Sequence, residues 1–440
     1  MKNLFAIFAL LPSIFFGQHT ISGTFSPAED YKVLILYKAT PNESFYVANA
    51  EVKEDGSFEI QLDATMQPGI YKLVYALPQK DFNFDIIYNG KEDIVLSFST
   101  HTQVVYQKSV ENKLLASYLH SMAMIGSSIN KFFSDKSKDT EALATMFKTQ
   151  LEAQTNFEDA AKGAIALNFI KANRPYIPEQ VEDVNTYAKN LQAHYFDHID
   201  FNNEVLQSSN FLKERMFNYV FGILHKDLDK ETSYKKNIDA FYQAMKTAST
   251  EIQSSLFLDL WQEMVHQGFE SVANYISENY LITIATKLED AELVDALVKF
   301  KNTSIGNPAP DFNLKVEKLD EKVPVKLSEL ADAENYVIVF WSSTCSHCLD
   351  EIPQLEAFVK NQKPDIKVVA IGLEDEPTSW NEMITKFPDF IHVYGEGKWD
   401  NAIANIYNVH ETPTYFVLNK NKVIISKPED IEALKIFFKN

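Results

Sequence analysis

The chain has 440 residues, more than one hydrophobic core ordinarily serves, so several domains are expected. Its 41 Lys and Arg face 61 Asp and Glu, a formal net charge of −20 that disfavours nucleic acid and anionic lipid as partners. With 45% hydrophobic residues and ordinary Gly and Pro usage, the composition is globular.

The start reads as a secretory signal over residues 1–17: Lys2, an apolar run over 4–16 broken only by Pro12 and Ser13, and small Gly17 before Gln18. That run is shorter than the ~20 apolar residues a membrane-spanning helix needs. No cysteine follows it to carry a lipid, and no later stretch is apolar enough to span a bilayer. The expectation is export to the periplasm or cell envelope, with no transmembrane segment after cleavage. Residues 18–106 then read as a small β-sandwich. KVLILY, FYVANAEV, SFEIQL, IYKLVYAL, FDIIYN and DIVLSFS are short β-branched and aromatic runs, punctuated by turn sequences such as EDGS and QPG.

Residues 107–302 change to helical spacing. Leu115, Leu119, Met122, Ile125, Ile129 and Phe132 form one stripe. Leu143, Phe147, Leu151, Gln154, Phe157 and Ala161 form a second, behind a cap at Asp139 or Thr140. Pro178 is placed in the first turn of a following helix. His194 and His198, four apart, share one helix face on this reading, but converging ligands are lacking, so no metal site is assigned. A boundary falls near 302–310, and residues 303–440 read as strand, helix, strand, helix, two strands in a hairpin, and a closing helix: an α/β domain with a mixed sheet.

The chain's two cysteines, Cys345 and Cys348, stand where the buried strand NYVIVFW gives way to a helix. A helix start offers free N–H groups that stabilise a thiolate, the reactive form. Cys345 lies at that start and Cys348 one turn on, so the pair can alternate between dithiol and disulfide, Cys345 attacking and Cys348 resolving. His347, when protonated, adds positive charge beside the thiolate. A zinc site would need a second cysteine pair, which the chain lacks, or a convergence of His347, His392 and His410 on the two it has, and an inert surface disulfide does not explain the strand-to-helix setting. A thiol peroxidase would carry proline, then threonine or serine, ahead of the cysteine; Ser342 fits, but Ile338 stands where the proline should be.

The segments GNPAPDF, VIVFWSSTCSHCLDEIPQLEAF, VVAIGL and YNVHETPTYFVLN together resemble the TlpA/ResA-type branch of the thioredoxin superfamily, the exported thiol–disulfide oxidoreductases. The resemblance implies a thioredoxin fold for 303–440 and no cofactor. It implies Cys345 as nucleophile, Cys348 as resolving cysteine, Trp341 as the strand-end aromatic, and Pro353 as the proline that kinks the active-site helix. Thr412 and Pro413 match the cis-proline loop that faces the cysteines. Where thioredoxin has a buried acid, this chain has Val339; Glu351, three residues past Cys348, is the candidate to replace it, against an ordinary solvated helix residue. His410 and Glu411 replace the small residues expected beside the proline.

The expectation is therefore a multidomain protein with an N-terminal all-β sandwich, a central all-α region and a C-terminal α/β thioredoxin fold. Its function would be an exported oxidoreductase of protein disulfides, working as a reductase. The partners implied are disulfide-bearing envelope proteins and a membrane thiol reductase as electron donor. The alternatives are an envelope binding protein with an accessory redox domain, or a thiol peroxidase.

Overall fold

The computed structural model describes residues 19–314, 326–361 and 365–439. The expected signal, 1–17, lies outside the described residues. The chain forms two compact units, Met1–Leu256 and Phe257–Asn440.

The first unit opens with eight strands: β1 (Thr20–Ser26), β2 (Val33–Ala39), β3 (Ser44–Glu51), β4 (Ser57–Gln61), β5 (Gly69–Val74), β6 (Asn83–Tyr88), β7 (Ile94–Ser99) and β8 (Gln103–Lys108). They make two four-stranded sheets, β4-β1-β7-β8 and β3-β2-β5-β6. Ile21, Phe25, Leu34, Leu36, Phe58, Ile60, Leu73 and Leu96 fill one shared core. Strands β1 and β8 flank the six sequence runs and complete the sandwich. β1 was hidden because Thr, Ser and Gly fill most of its length, and its pairing with β7 is parallel.

Helices follow: α1 (Val110–Ser134), α2 (Thr140–Ala160), α3 (Ala166–Ala172), α4 (Val184–Ala193), α5 (Glu204–Gln207), α6 (Phe211–Gly222), α7 (Lys230–Met245) and α8 (Thr250–His266). Asn112 of α1 joins them to the sandwich. Its side chain accepts from the Ile87 N–H at 2.9 Å and donates to the Ile87 carbonyl at 2.7 Å, satisfying backbone groups that edge strand β6 would leave bare. Asp139 caps α2 as expected, accepting from the Ala142 N–H. The buried stripe of α1 runs through Tyr118 rather than Leu119, which is exposed. The Tyr118 hydroxyl donates to buried Gln154 at 2.8 Å, which is why a polar residue sits in the α2 stripe.

Leu151 of the expected α2 stripe is exposed as well, and two further expectations fail here. Pro178 opens no helix: α4 begins only at Val184, where the Asp183 carboxylate accepts from the Asn185 and Thr186 N–H groups, a capping service proline cannot give. His194 and His198 do not share a helix face, because α4 ends at Ala193 and His194 turns to Asp197 at 2.6 Å.

In the second unit, α9 (Glu270–Ile276), α10 (Ile282–Lys287) and α11 (Ala291–Asn302) lead into a five-stranded sheet of order β11-β10-β9-β12-β13. Its strands are β9 (Asn335–Trp341), β10 (Ile366–Glu374), β11 (Ile391–Glu396), β12 (Thr414–Asn419) and β13 (Ile424–Ser426). β9, β10 and β11 run parallel, β12 pairs antiparallel with β9 and β13 antiparallel with β12, the mixed sheet expected of a thioredoxin fold. Strand β11 was absent from the sequence reading. It is a six-residue edge strand, IHVYGE, with only Val393 and Gly395 buried, so it lacks the apolar run that marks its neighbours.

Period-two alternation sends Tyr336, Ile338 and Phe340 of β9 to one face, and Val337, Val339 and Trp341 to the other. The second face is covered by α12 (Ser346–Lys360), α13 (Pro377–Ile384) and α15 (Ile431–Phe437), through Ile352, Leu355, Trp380, Ile431 and Leu434. The first is covered by α14 (Ala402–Ile406) and by the segment carrying Ala309 and Phe312. Gly372 of β10 is required by packing: a Cβ there would lie 2.2 Å from Nε1 of Trp380. The GNPAPDF opening zips onto β13, with Gly306 N–H to Ile424 O and Ala309 N–H to Lys422 O, each 2.8 Å.

Candidate active site

The parallel strands β9, β10 and β11 point their carboxyl ends toward one edge of the sheet, where a ligand meets an α/β sheet. At that end β9 finishes at Trp341, a turn over 342–344 follows, and Cys345 is the N-cap of α12. Cys345 has extended backbone (φ −89°, ψ 121°), and its sulfur takes the capping role, accepting from the Cys348 N–H at 3.3 Å. A large polarisable atom thus meets the free donors of the first turn. The thiol in turn donates to the Thr412 carbonyl at 3.3 Å. Both cysteines are free thiols.

Their environments drive them apart. Burial pushes the Cys345 pKa up, but hydrogen bonds from the Cys348 and Thr412 side chains and from the Cys348 and His347 N–H groups outweigh it and leave it below the ordinary thiol value. Cys348 is fully buried beside Trp341, Ile352 and Tyr415. That burial, with its hydrogen bond to Cys345, pushes its pKa up to about 12. One thiol is prepared to ionise while the other holds its proton.

The supporting residues fall around this pair. Trp341 is fully buried under the site. His347 is exposed on the first turn of α12, where its N–H, rather than its ring, reaches the Cys345 sulfur. Pro353 lies within α12. The Thr412–Pro413 bond is cis and brings the Thr412 carbonyl to Cys345. Glu351 is no solvated surface acid: one oxygen accepts from the Tyr415 hydroxyl at 3.0 Å and the Ile431 N–H at 2.9 Å. It thereby ties α12 to β12 and α15. The carboxylate raises the Tyr415 pKa further, after burial itself.

On the approach to Pro413, a cavity of about 190 Å³ is lined by Trp399, Ala404, Asn405, Asn408, Val409 and His410. His410 pairs with Asn408 at 3.1 Å. Glu374, at the end of β10, went unnoticed in the sequence because it opens the acidic run EDE, which reads as a solvated turn. It is buried (3% exposed) and accepts from the 342–344 turn.

Residues 334–424 match the Thioredoxin-like family. Over 120 residues the chain is 23% identical to the thiol-disulfide oxidoreductase ResA of Oceanobacillus iheyensis, spanning 27% of this chain and 60% of that protein. Over 122 residues it is 29% identical to the thioredoxin-like protein YneN of Bacillus subtilis, spanning 27% of this chain and 68% of that protein. A thioredoxin-like protein from Bacteroides caccae superposes over 60% of this chain and 96% of its own, with 16% identity and a TM-score of 0.31. A domain of a possible thiol-disulfide isomerase from Cytophaga hutchinsonii covers 31% of this chain and 91% of its own, with 28% identity and a TM-score of 0.26.

Proposed function

We propose that this chain, which carries a thioredoxin-like domain of the TlpA/ResA type, is an exported reductase of protein disulfides. The observation that carries the reading is the divided pair: a partly exposed, acidified Cys345 capping α12 and a buried Cys348 held as thiol one turn below. In the proposed cycle, the Cys345 thiolate attacks one sulfur of a client disulfide. The client S–S bond breaks, a mixed disulfide forms, and one client thiolate leaves. Cys348 gives up its proton, which returns to that thiolate through water, and attacks Cys345. The mixed disulfide breaks, and the second client sulfur leaves as a thiolate that takes from solvent the proton Cys345 gave up on ionising. The client has gained two electrons, and Cys345–Cys348 is a disulfide. A membrane dithiol donor returns both electrons.

Export rests on the apolar run over 4–16. Among the described residues no helix is long and apolar enough to cross a membrane. The clients on this reading are disulfide-bearing envelope proteins, met along the Thr412–Pro413 loop. The test is reduction of a protein disulfide by the reduced chain, in single turnover, against the chain with both Cys345→Ser and Cys348→Ser. Reduction that is undiminished without the two thiols, or absent from the parent, would leave the reading untenable, and a cellular role that survives loss of both thiols would favour a binding protein with an accessory redox domain.

A further inference from the structure

Strand β10 outruns β9. The last β9 pairing is Trp341 with Gly372, and two further residues carry Glu374 level with Ser343. There a carboxylate lies inside the protein, 3% exposed, both of its oxygens accepting hydrogen bonds. Oε1 takes the Ser343 N–H at 2.5 Å and Oε2 takes the Ser342 hydroxyl at 3.2 Å. Both donors belong to residues that are themselves buried, at 8% and 3% exposure. The Ser342 oxygen also accepts from the Thr344 N–H at 3.3 Å and lies 3.0 Å from the Thr344 hydroxyl. The Ser342 carbonyl accepts from the Cys345 N–H at 3.2 Å. Every residue between the strand and Cys345 is thus fastened, directly or through one atom, to Glu374.

We infer that Glu374 is a positioning residue for Cys345: it clamps the 342–344 turn so that the sulfur stays in register with the first N–H groups of α12. The groups on that sulfur come from α12 (the Cys348 side chain and the His347 and Cys348 N–H groups) and the Thr412 loop, so Glu374 acts on it only through the turn. A buried carboxylate is a costly way to close a turn unless its oxygens are hydrogen-bonded, and here each accepts one bond. The function of the thiolate rests on the oxidoreductase reading; the clamp does not.

The experiment is the pH profile of Cys345 alkylation by iodoacetamide in the full chain, with Cys348 silent because its pKa is about 12. Glu374→Ala leaves the Ser343 N–H without an acceptor and loosens the turn. The Cys345 pKa is expected to rise by about one unit, cutting alkylation and exchange with a small disulfide about tenfold at pH below both values. Glu374→Gln keeps a carbonyl oxygen for Ser343, so it is expected within about threefold of the parent. Ser342→Ala removes the hydroxyl's contacts with Glu374 and Thr344 and leaves the buried Ser343 N–H satisfied; a smaller rise of the same sign is expected, and it decides the matter should Glu374→Ala fail to fold. Loss of a nearby negative charge alone would lower the Cys345 pKa in both Glu374 variants. That result overturns the clamp, as does an unmoved profile in Glu374→Ala, or in Ser342→Ala where that variant decides. A shifted profile in a chain whose parent reduces no protein disulfide would sustain the clamp and sink the reductase reading.

Discussion

Separating the two cysteines gives a direct measure of how far the fold divides their chemistry. In Cys348→Ser only Cys345 remains, with the introduced hydroxyl able to replace the hydrogen bond that the thiol supplied. In Cys345→Ser only Cys348 remains. At pH 9.0, the value from which its pKa is lowered, Cys345 is more than half ionised. Cys348, with a pKa of about 12, is ionised to only ~10⁻³ at that pH. The thiolate populations therefore differ by ~500-fold or more, before the full burial of the Cys348 side chain slows the reagent further. Timed alkylation with iodoacetamide at that pH, read by mass, is expected to label Cys348→Ser at least ~500-fold faster than Cys345→Ser. On mixing with an oxidised client protein, Cys348→Ser should accumulate a reductant-sensitive adduct through Cys345, since the resolving thiol is gone. If the two variants alkylate within tenfold of each other, or if Cys345→Ser collects the adducts, the attacker and resolver assignments are refuted.

Two further outcomes follow from the contacts around the pair. Glu351→Ala strips the acceptor from two donors, the Tyr415 hydroxyl and the Ile431 N–H, at ~1–3 kcal/mol each, so urea unfolding should show a loss of ~2–6 kcal/mol, with roughly half of it recovered in Glu351→Gln; an unchanged midpoint in Glu351→Ala would mean that those contacts stabilise nothing. His347→Pro removes an N–H that lowers the Cys345 pKa, at a helix position where proline fits, whereas His347→Ala removes only the exposed ring. The expectation is a higher Cys345 pKa and a pair more reducing by a few tens of millivolts in the proline variant alone, on the scale of ~30 mV per 1.4 kcal/mol; equal shifts in both variants would assign the effect to the imidazole.

The sequence disclosed those parts of the molecule whose signal is local. The run 337–341 is apolar on both faces because helices cover both, and it stands in the structure as β9 with every one of those residues buried. The C-x-x-C spacing at a strand-to-helix junction names its own chemistry, since the spacing, the free N–H groups and the thiols lie within one turn. Strand β11 had no such signal. An edge strand buries too little to show a period, and its pairing to β10 is made by residues about twenty positions away. The same holds for Pro178, which has the local look of a helix start but lies in a stretch whose backbone turns to meet Asp183 instead.

The site divides along the same line. Cys345, Cys348 and Trp341 are adjacent in the chain, so their relation could be read directly. Thr412 lies 67 positions from the sulfur it touches and was identified only because its loop matches a known pattern. Glu351 was open to two readings because a helical carboxylate reveals nothing of its partners; Tyr415 and Ile431, 64 and 80 positions on, decide it. Glu374 carried no mark at all. Its role comes from a difference in length between neighbouring parallel strands, which sets an acidic residue level with Ser343. Residues that perform thiol chemistry show themselves by type and spacing. Those that hold the thiol in place act through strand register and long-range hydrogen bonds, and a one-dimensional pattern does not record either.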